Sequence, residues 1–566
     1  MEAIEFQEFS FRYNNLKEYT LKNINLKLNI GEKILIAGPS GSGKSTLAHC
    51  INGLIPFMYE GEIKGKIMVD GIEPHRSSLH DVSRYVGTIL QDQDGQFVGI
   101  SVGEDVAFFY ENHNIPKEEM VEGVRKVLTE VGMLDYINET PQNLSGGQKQ
   151  KISMAGILTS DCEILLFDEP LANLDPASSK KAMKKIADIN NRTKKTVIVI
   201  EHRIEDVLEQ NFDRVILIDN GEIRYDGTPD ELLALDLLKK YGIREPLYIE
   251  AIKKCDVNIT VEDKISYIAN TIKFKEALIR NFEEYNMQQE QRQNRELLTI
   301  ENINFKYFKE QHNILENVSF SINKGELVAI LGNNGAGKST LMKILTGIEN
   351  QKKGSVKYLG KPIDKWSIKK RADIIGYVMQ NPNHMITQNM IFDEVAFALR
   401  NRKYDEKSVE EKVLKVLKLC GLYKYRNWPV ASLSYGQKKR VTIASILAVE
   451  PEIIILDEPT AGQDYRTYKE FMGFIEEVKS AGVTIIMITH DMNLSLEYSD
   501  RAIVLSEGKV IGDGSLFSLI SDEVLVNKAD LQQPSLYKMA EIFDIKEKGA
   551  FVAHFIKKMR EGFVYE

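Results

Sequence analysis

The sequence predicts an α/β fold that occurs twice along one chain. The nine residues from Gly38 to Thr46 follow the phosphate-loop pattern G-x-x-x-x-G-K-[ST], and the nine from Gly332 to Thr340 follow it again. Each loop lies between an apolar, strand-like run and the start of apolar helical spacing, which is the context that a phosphate-binding loop requires. Two copies in this context predict two related phosphate-binding domains.

Each loop combines groups that suit a nucleoside triphosphate. Its glycines let several backbone N–H groups point at the phosphates, and the following helix adds the positive end of its dipole. The pattern places Lys44 and Lys338 at the β- and γ-phosphates and the hydroxyls of Ser45 and Ser339 on Mg²⁺. The residues expected to contact the nucleotide are Gly38, Pro39, Ser40, Gly41, Ser42, Gly43, Lys44, Ser45 and Thr46 in the first loop, and Gly332, Asn333, Asn334, Gly335, Ala336, Gly337, Lys338, Ser339 and Thr340 in the second.

Further motifs follow each loop at a nearly constant distance. Three motif pairs stand 289 positions apart: Gln91 with Gln380, Leu144–Gln148 with Leu433–Gln437, and Asp168-Glu169 with Asp457-Glu458. A histidine pair, His202 and His490, stands 288 positions apart, whereas the loops stand 294 apart. The second copy is therefore shorter between its loop and its glutamine. A repeat of this length is a duplicated domain rather than a solenoid unit, and the polar run at 288–296 is the expected linker.

Composition restricts the class of protein. The chain has 566 residues, of which 43% are hydrophobic, with a net charge of −9 and a pI near 5.7. These values predict several domains with ordinary cores, and we expect no nucleic acid partner. The four cysteines are scattered without a C-x-x-C pattern, which is typical of core thiols in a reducing compartment. Because no signal-peptide pattern and no run of about 18 apolar residues occurs, we expect a cytoplasmic chain without a membrane span.

The five motifs, in the same order and present twice, resemble the ATP-binding cassette (ABC) ATPases. The resemblance covers nearly the whole chain, and its most diagnostic element is Leu144–Gln148, the signature Leu-Ser-Gly-Gly-Gln. It implies two tandem RecA-like P-loop domains, each with an antiparallel β subdomain and a helical signature subdomain. It also implies that ATP and Mg²⁺ bind and that ATP is hydrolysed.

The acidic pairs end apolar runs that are typical of buried parallel strands, where open α/β sheets bind their ligands. By resemblance, Asp168 and Asp457 would hold Mg²⁺, together with Ser45, Ser339, Gln91 and Gln380. Glu169 and Glu458 would orient and polarise the attacking water.

The resemblance also assigns roles to four side chains that would otherwise look ordinary. His202 and His490 would sense the γ-phosphate and brace the catalytic glutamates. Gln91 and Gln380 would touch Mg²⁺ and the attacking water, and would begin the loop that contacts a transport subunit.

Two further pairs complete the implied sites. Asp175 and Asp464 resemble the aspartates that couple opposed sites. Tyr13 and Tyr307 resemble the aromatics that stack on adenine, although an aromatic packed in the core remains the alternative for both.

In this family the domains pair head to tail, so the resemblance implies an intramolecular dimer with each ATP between one phosphate loop and the opposite signature. The expected signature contacts are Ser145, Gly146, Gly147 and Gln148 in the first copy and Ser434, Gly436 and Gln437 in the second. Tyr435 replaces a glycine, and we expect its side chain to tilt that loop. Both copies keep the catalytic glutamate and histidine, so we expect two hydrolysis-competent sites with unequal rates.

The stretches after the glutamines resemble energy-coupling factor (ECF) ATPases. Q-D-Q-D-G-Q at 91–96 is followed by E-D-V-A-F at 104–108, and Q-N-P-N-H-M at 380–385 by D-E-V-A-F at 393–397, with Met385 in place of the second glutamine. The resemblance implies a groove for an integral membrane coupling subunit, a substrate-binding membrane subunit, and a peripheral position on the cytoplasmic face of the membrane. Such systems import vitamins and transition-metal ions. The tripeptide Glu201-His-Arg203 together with Tyr435 resembles the group that serves thiamine precursors and cobalt.

Other functions remain open at this level. A twin-cassette protein acting on the ribosome would carry a basic interdomain arm, whereas residues 243–296 are mixed in charge. The fused ATPases of sugar importers commonly have a degenerate second loop, and DNA-repair cassettes need a long insertion before the signature. We expect four segments: a first ABC ATPase domain at 1–242, its C-terminal extension and linker at 243–296, a second ABC ATPase domain at 297–520, and a C-terminal helical extension at 521–566.

Overall fold

The computed structural model describes residues 2–90, 94–160, 162–171, 174, 176–283, 295–307, 312–460 and 463–561. Contacts divide the chain into two compact units, 1–273 with 464–466 and 274–463 with 467–566. We describe each unit by itself and call it the first or second cassette. The four segment boundaries given above stay a prediction, and most of the predicted linker lies outside the described residues.

The first cassette contains a mixed sheet and a smaller antiparallel sheet. Its strands are β1 (Glu2–Tyr13), β2 (Leu21–Asn29), β3 (Lys33–Ala37), β4 (Gly61–Val69), β5 (Val86–Ile89), β6 (Ile164–Asp168), β7 (Thr196–Ile200), β8 (Arg214–Asp219) and β9 (Glu222–Gly227). Its helices are α1 (Lys44–Ile51), α2 (Leu54–Phe57), α3 (Leu79–Val82), α4 (Val102–Asn112), α5 (Lys117–Val131), α6 (Gly146–Leu158), α7 (Pro176–Thr193), α8 (Ile204–Leu208), α9 (Pro229–Ala234), α10 (Leu237–Lys240) and α11 (Leu247–Lys253). The main sheet has the order β5-β6-β7-β3-β8-β9, parallel except for β8 with β9, and the antiparallel sheet has the order β2-β1-β4.

The second cassette repeats this arrangement. Its strands are β10 (Glu296–Phe305), β11 (Leu315–Asn323), β12 (Leu327–Leu331), β13 (Lys353–Tyr358), β14 (Lys361–Pro362), β15 (Ile375–Val378), β16 (Ile453–Asp457), β17 (Thr484–Ile488), β18 (Arg501–Ser506) and β19 (Lys509–Gly514). Its helices are α12 (Lys275–Glu283), α13 (Lys338–Thr346), α14 (Ile368–Arg371), α15 (Ile391–Asn401), α16 (Glu406–Leu419), α17 (Tyr435–Leu447), α18 (Tyr465–Ser480), α19 (Met492–Tyr498), α20 (Leu516–Leu519), α21 (Glu523–Lys528), α22 (Ser535–Ile542) and α23 (Lys548–Glu561). The main sheet order is β15-β16-β17-β12-β18-β19, and the antiparallel sheet order is β11-β10-β13-β14.

The central strands explain why the motifs meet. β3, β6 and β7 are buried at every residue, as are β12 and β17, which requires the aliphatic runs that the sequence provides. Because these strands are parallel, their carboxyl ends lie at one edge of each sheet. The phosphate loop, the acidic pair and the histidine each follow such a strand. The strands predicted before the two phosphate loops are confirmed.

Each main sheet ends in a hairpin, and the Asn-Gly and Glu-Gly dipeptides at 220–221 and 507–508 are sequence signals for its turn. Asn220 and Gly221 have φ of 51° and 79°, and Glu507 and Gly508 have φ of 47° and 75°. Two consecutive left-handed residues are typical of the tight turn that joins twisted antiparallel strands. The residues that flank each turn, Asp219 with Glu222 and Ser506 with Lys509, pair as expected.

A helical subdomain follows the glutamine in each copy. In the first, valines of α4 and α5 pack with Ile152 and Ala155 of α6 into a core of their own. The subdomain of the second copy contains α15, α16 and α17. Both antiparallel β subdomains and both helical subdomains are therefore present, as the predicted fold class requires. None of the described helices combines the length and apolar character that a membrane crossing needs.

The second cassette also includes α12, which lies before the first strand of that cassette, β10, in the sequence. Phe282 packs edge-on against Phe551 of α23 with ring centroids 5.5 Å apart, and Asn281 Oδ1 lies 2.9 Å from His554 Nε2. The C-terminal helices α22 and α23 pack together. Residues 275–283 are therefore held by the end of the chain.

The first glycine of each phosphate loop is required by close packing. A Cβ on Gly38 would lie 2.2 Å from Ile218 O, so we expect Gly38→Ala to lower the free energy of unfolding by about 1–3 kcal/mol. Thermal denaturation followed by circular dichroism measures this effect. Gly156→Ala is the control, because nothing lies within 4 Å of the added Cβ in α6 and a helical alanine is intrinsically favoured. Equal melting temperatures for the two variants would contradict the packing argument.

Candidate nucleotide sites

The phosphate loops hold their lysines inside the loop. Lys44 Nζ donates hydrogen bonds to Gly38 O and Pro39 O, both at 2.8 Å. Lys338 Nζ donates to Gly332 O at 2.7 Å and Asn333 O at 2.9 Å. Burial lowers the pKa of Lys44, and the carboxylates of the acidic pair partly offset this effect. Both ammonium groups are thus held by carbonyls at the start of the loop, where the sequence predicts phosphate binding.

The aspartate of the first cassette lies beside the loop serine. Ser45 Oγ donates to Asp168 Oδ1 at 3.4 Å. Burial raises the pKa of Asp168 to about 6, and repulsion from Glu169 contributes to that increase. A hydroxyl and a carboxylate are hard oxygen donors of the kind that Mg²⁺ prefers. The pair therefore fits the predicted metal.

The aspartate of the second cassette has a partner that the sequence did not indicate. Tyr377 Oη, on β15, donates to Asp457 Oδ2 at 2.7 Å. Burial raises the pKa of Asp457. Thr88 occupies the corresponding position in the first cassette. The two predicted magnesium aspartates thus have different neighbours.

The two glutamates predicted to be catalytic adopt the same backbone but contact their histidines differently. Glu169 and Glu458 have φ of 48° and 43°, a left-handed conformation that is uncommon outside glycine and frequent at functional sites. His490 Nδ1 lies 2.8 Å from Glu458 Oε1, within hydrogen-bond distance. His202 Nδ1 lies 3.9 Å from Glu169 Oε1. The structure brings both predicted pairs together, and the contact is closer in the second cassette.

A buried carboxylate explains part of this difference. Glu201 is only 1% exposed, and its oxygens accept hydrogen bonds from the backbone N–H groups of Leu171, His202 and Arg203 at 3.0, 3.0 and 3.3 Å. Its Oε2 also lies 3.8 Å from His202 Nδ1. Burial raises the pKa of Glu169. The electrostatic effect of His202 lowers that pKa, whereas repulsion from Glu201 raises it further. The imidazole of the first cassette therefore lies between two carboxylates.

The second cassette has Thr489 at the position of Glu201. Its hydroxyl accepts a hydrogen bond from Asp491 N at 3.0 Å, within the histidine loop itself. The sequence drew attention to Glu201 only as part of a family-like tripeptide. Comparing the two copies position by position would have marked it as a difference beside the histidine.

The two signatures have nearly the same backbone. Ser145 and Ser434 cap the signature helices with φ, ψ of −66°, 158° and −63°, 162°. Each serine accepts from the N–H of the glutamine three residues later, and that glutamine side chain accepts from the serine N–H. The expectation that Tyr435 tilts the loop is therefore wrong. The residue after the cap begins the helix, and helical backbone accommodates any side chain.

One turn into each signature helix, a buried side chain reaches the proline that follows the predicted catalytic glutamate. Gln150 Nε2 donates to Pro170 O at 2.7 Å. Lys439 Nζ donates to Pro459 O at 2.7 Å and to Glu458 O at 3.3 Å. Burial lowers the pKa of Lys439 to about 8, and the nearby carboxylates oppose this decrease. Sequence reasoning missed both residues, although they are 289 positions apart.

The two tyrosines predicted to stack on adenine lie at the ends of equivalent strands: Tyr13 is the last residue of β1, and Tyr307 lies two residues after β10. Tyr13 Oη lies 3.0 Å from Thr46 Oγ1, and its ring packs edge-on against Phe11 at 4.8 Å. Tyr307 packs edge-on against Phe305 at 4.9 Å. Both rings are half-buried, and burial raises the pKa of Tyr13. Stacking on adenine stays a prediction for both.

Some predicted residues cannot be placed. Gln91 and Asp175 lie outside the described residues, whereas Gln380 follows β15 and its carbonyl accepts from Tyr435 Oη at 3.2 Å.

The second glutamine of the ECF-like pattern, Gln96, folds back onto β5, donating to Thr88 O at 2.8 Å and accepting from Leu90 N at 3.2 Å. In the second copy, the sulfur of Met385 accepts from Met379 N at 3.2 Å. Methionine thus keeps one of these contacts, as a weaker acceptor.

Comparison with known proteins agrees with this arrangement. A family model described as ABC transporter matches residues 21–172 and 315–461, and one described as ATP-binding cassette cobalt transporter matches residues 235–305. A proposed ABC transporter ATP-binding protein of Vibrio vulnificus strain CMCP6 is 48% identical over 98% of this chain and 97% of its own. One of Clostridium perfringens strain 13 is 49% identical over 98% of both chains.

Among solved structures, cbiO1 from Clostridium perfringens, described as part of the ABC transporter complex cbiONQ, is 34% identical. It aligns with 45% of this chain and 100% of its own, with a TM-score of 0.40. Two matched cassettes and full-length relatives establish the family. The chain therefore belongs to the ABC transporter family, as an ATP-hydrolysing protein with two ATP-binding cassettes.

Proposed function

We propose that this protein powers the import of a micronutrient through an ECF-type transporter. The micronutrient is a vitamin, a vitamin precursor or a transition-metal ion. The proposal depends on one observation: apolar side chains are exposed just after the first glutamine loop. Ile100 is 81% exposed and Val98 is 63% exposed, and Phe108 of the following helix α4 is half-exposed. The description of the family that matches residues 235–305, a cobalt transporter, supports the same class of transport.

The second cassette has a related surface. Phe397 of α15, at the position that corresponds to Phe108, is exposed, as are Met379 and Trp428. Apolar side chains grouped on a surface are typical of protein–protein contacts. We propose that the two surfaces bind the coupling helices of an integral membrane subunit, which would also hold the substrate-binding membrane subunit. The protein would then lie peripherally on the cytoplasmic face of the membrane.

Within each cassette we propose the roles that the resemblance assigns. Mg²⁺ would neutralise the phosphate charge, held through Ser45 and Asp168 in the first copy and Ser339 and Asp457 in the second. The lysine of the phosphate loop would bind the β- and γ-phosphates. The glutamate would orient and polarise the attacking water, and the histidine would hold the glutamate in place. The head-to-tail pairing of the cassettes remains part of this proposal.

Changing the exposed surface tests the transport function. We expect Ile100→Asp combined with Phe108→Asp to reduce the amount of membrane subunit that copurifies by about tenfold, since charges at an apolar interface are costly to desolvate. The measurement is affinity purification from detergent-solubilised membranes, with copurifying subunits identified and quantified by mass spectrometry. Val524→Asp is the control, because Val524 is 77% exposed on α21, outside the proposed surface.

Two outcomes would contradict the proposal. One is copurification that is unchanged by the double substitution while the melting temperature is also unchanged. The other is co-sedimentation of the native protein with ribosomes and its absence from membranes, which would favour a twin-cassette protein that acts in translation.

A further inference from the structure

The second signature helix contains a side-chain pair that the first lacks. Tyr435 is the first residue of α17, and Lys439 follows one turn later on the same face. Lys439 is 2% exposed, and its Nζ lies 5.4 Å from the centre of the Tyr435 ring. This separation is within the range of a cation–π contact, which stabilises a cation held away from water.

The pair touches two other parts of the predicted site. Lys439 Nζ donates to the carbonyls of Glu458 and Pro459, and so holds the turn that carries the catalytic glutamate. Tyr435 Oη donates to the carbonyl of Gln380, where the glutamine loop begins. The first turn of this helix thus connects the signature, the glutamine loop and the catalytic turn of one cassette.

The first cassette shows which part of this arrangement the fold itself requires. Gly146 and Gln150 stand at the corresponding positions, and Gln150 makes the bond to Pro170 O at the same 2.7 Å. A neutral amide therefore suffices for the bond to the proline carbonyl, and Lys439 in addition bonds to the carbonyl of Glu458 itself. The second cassette adds a positive charge behind its catalytic glutamate and an aromatic ring that covers that charge.

Burying an ammonium group is unfavourable unless its donors are satisfied. Two carbonyls and an aromatic face satisfy Lys439, and one of those carbonyls belongs to Glu458 itself. We propose that Tyr435 and Lys439 are positioning residues that hold Glu458 for hydrolysis in the second cassette only. This inference rests on the proposed role of Glu458.

Separate measurement of each site tests the pair. In a Glu169→Gln background, the remaining hydrolysis depends on Glu458. There we expect Lys439→Gln to lower kcat about tenfold and to change the KM for ATP less than about twofold, the pattern of a lost transition-state contribution. Tyr435→Gly is expected to act in the same direction. Combining both substitutions is expected to cost less than the product of the single effects, since the residues act together.

The matched control uses the opposite background. In Glu458→Gln, where hydrolysis depends on Glu169, Lys439→Gln is expected to leave kcat within about twofold, because its counterpart Gln150 is untouched. A fall of similar size in both backgrounds would show a general structural effect and overturn the proposal. So would a kcat unchanged by Lys439→Gln in the Glu169→Gln background. If Glu458→Gln, introduced alone, leaves ATP hydrolysis unchanged, that result contradicts the proposed role of Glu458. It does not bear on the contact between Tyr435 and Lys439.

Discussion

Glu458→Gln is expected to remove most of the ATP hydrolysis of the full chain, and Glu169→Gln a smaller part. His490 lies within hydrogen-bond distance of Glu458, at 2.8 Å, whereas the equivalent distance to Glu169 is 3.9 Å. We therefore expect Glu458 to be held more closely than Glu169 for activation of the attacking water. Removing such a group lowers the rate at its own site by about 10²–10⁴-fold. Steady-state release of phosphate from purified protein measures both effects.

The double variant Glu169→Gln/Glu458→Gln provides the control for this prediction. We expect its hydrolysis to fall to the background of the assay, whereas its binding of ATP is retained, because the amide has the shape of the carboxylate. Substantial remaining turnover would mean that neither glutamate acts as assigned.

Replacing the loop lysines is expected to have the second large effect, on nucleotide binding. Lys44→Ala removes a buried ammonium group from the first phosphate loop, and Lys338→Ala removes a partly buried one from the second. A lost charge-assisted contact with phosphate costs about 1.5–3 kcal/mol, which corresponds to a roughly 10- to 100-fold weaker affinity at the affected site. Titration with a fluorescent ATP analogue measures this change.

Lys343→Ala is the matched control for the second cassette. Lys343 is exposed on α13, the same helix that Lys338 begins, so the substitution removes an equal charge away from the loop. Similar losses of affinity for Lys338→Ala and Lys343→Ala would indicate a non-specific effect of charge rather than binding by the loop.

Much of the fold could be predicted from the sequence because its signals are local. The strands before each phosphate loop are continuous aliphatic runs, and a loop pattern with glycines and lysine follows directly. The hairpin turns at Asn220-Gly221 and Glu507-Gly508 are equally local. The acidic pairs and the histidines each follow a strand of the main sheet. Because parallel strands end at one edge of a sheet, their sequence order predicts that these side chains lie close together.

The features that distinguish the two cassettes could not be predicted in this way. Tyr377 reaches an aspartate 80 positions away, and Lys439 reaches a turn about 20 positions away, so neither leaves a local pattern. The expected tilt at Tyr435 failed because that residue already lies in helical backbone. Gln96, which the resemblance places in a groove for a membrane subunit, also bonds to Thr88 of β5, a contact that the sequence did not indicate. A position-by-position comparison of the two copies was the one sequence signal available for these differences.

The inequality of the two ATP sites is tested most directly by comparing the single-turnover rate constants of Glu169→Gln and Glu458→Gln with ATP bound at saturation. The close His490–Glu458 contact and the hydrogen bond from Lys439 to the carbonyl of Glu458 predict that Glu169→Gln, which keeps the second glutamate, hydrolyses ATP about five- to tenfold faster, a barrier difference of about 1–1.4 kcal/mol. Equal rate constants, or faster hydrolysis by Glu458→Gln, would contradict it.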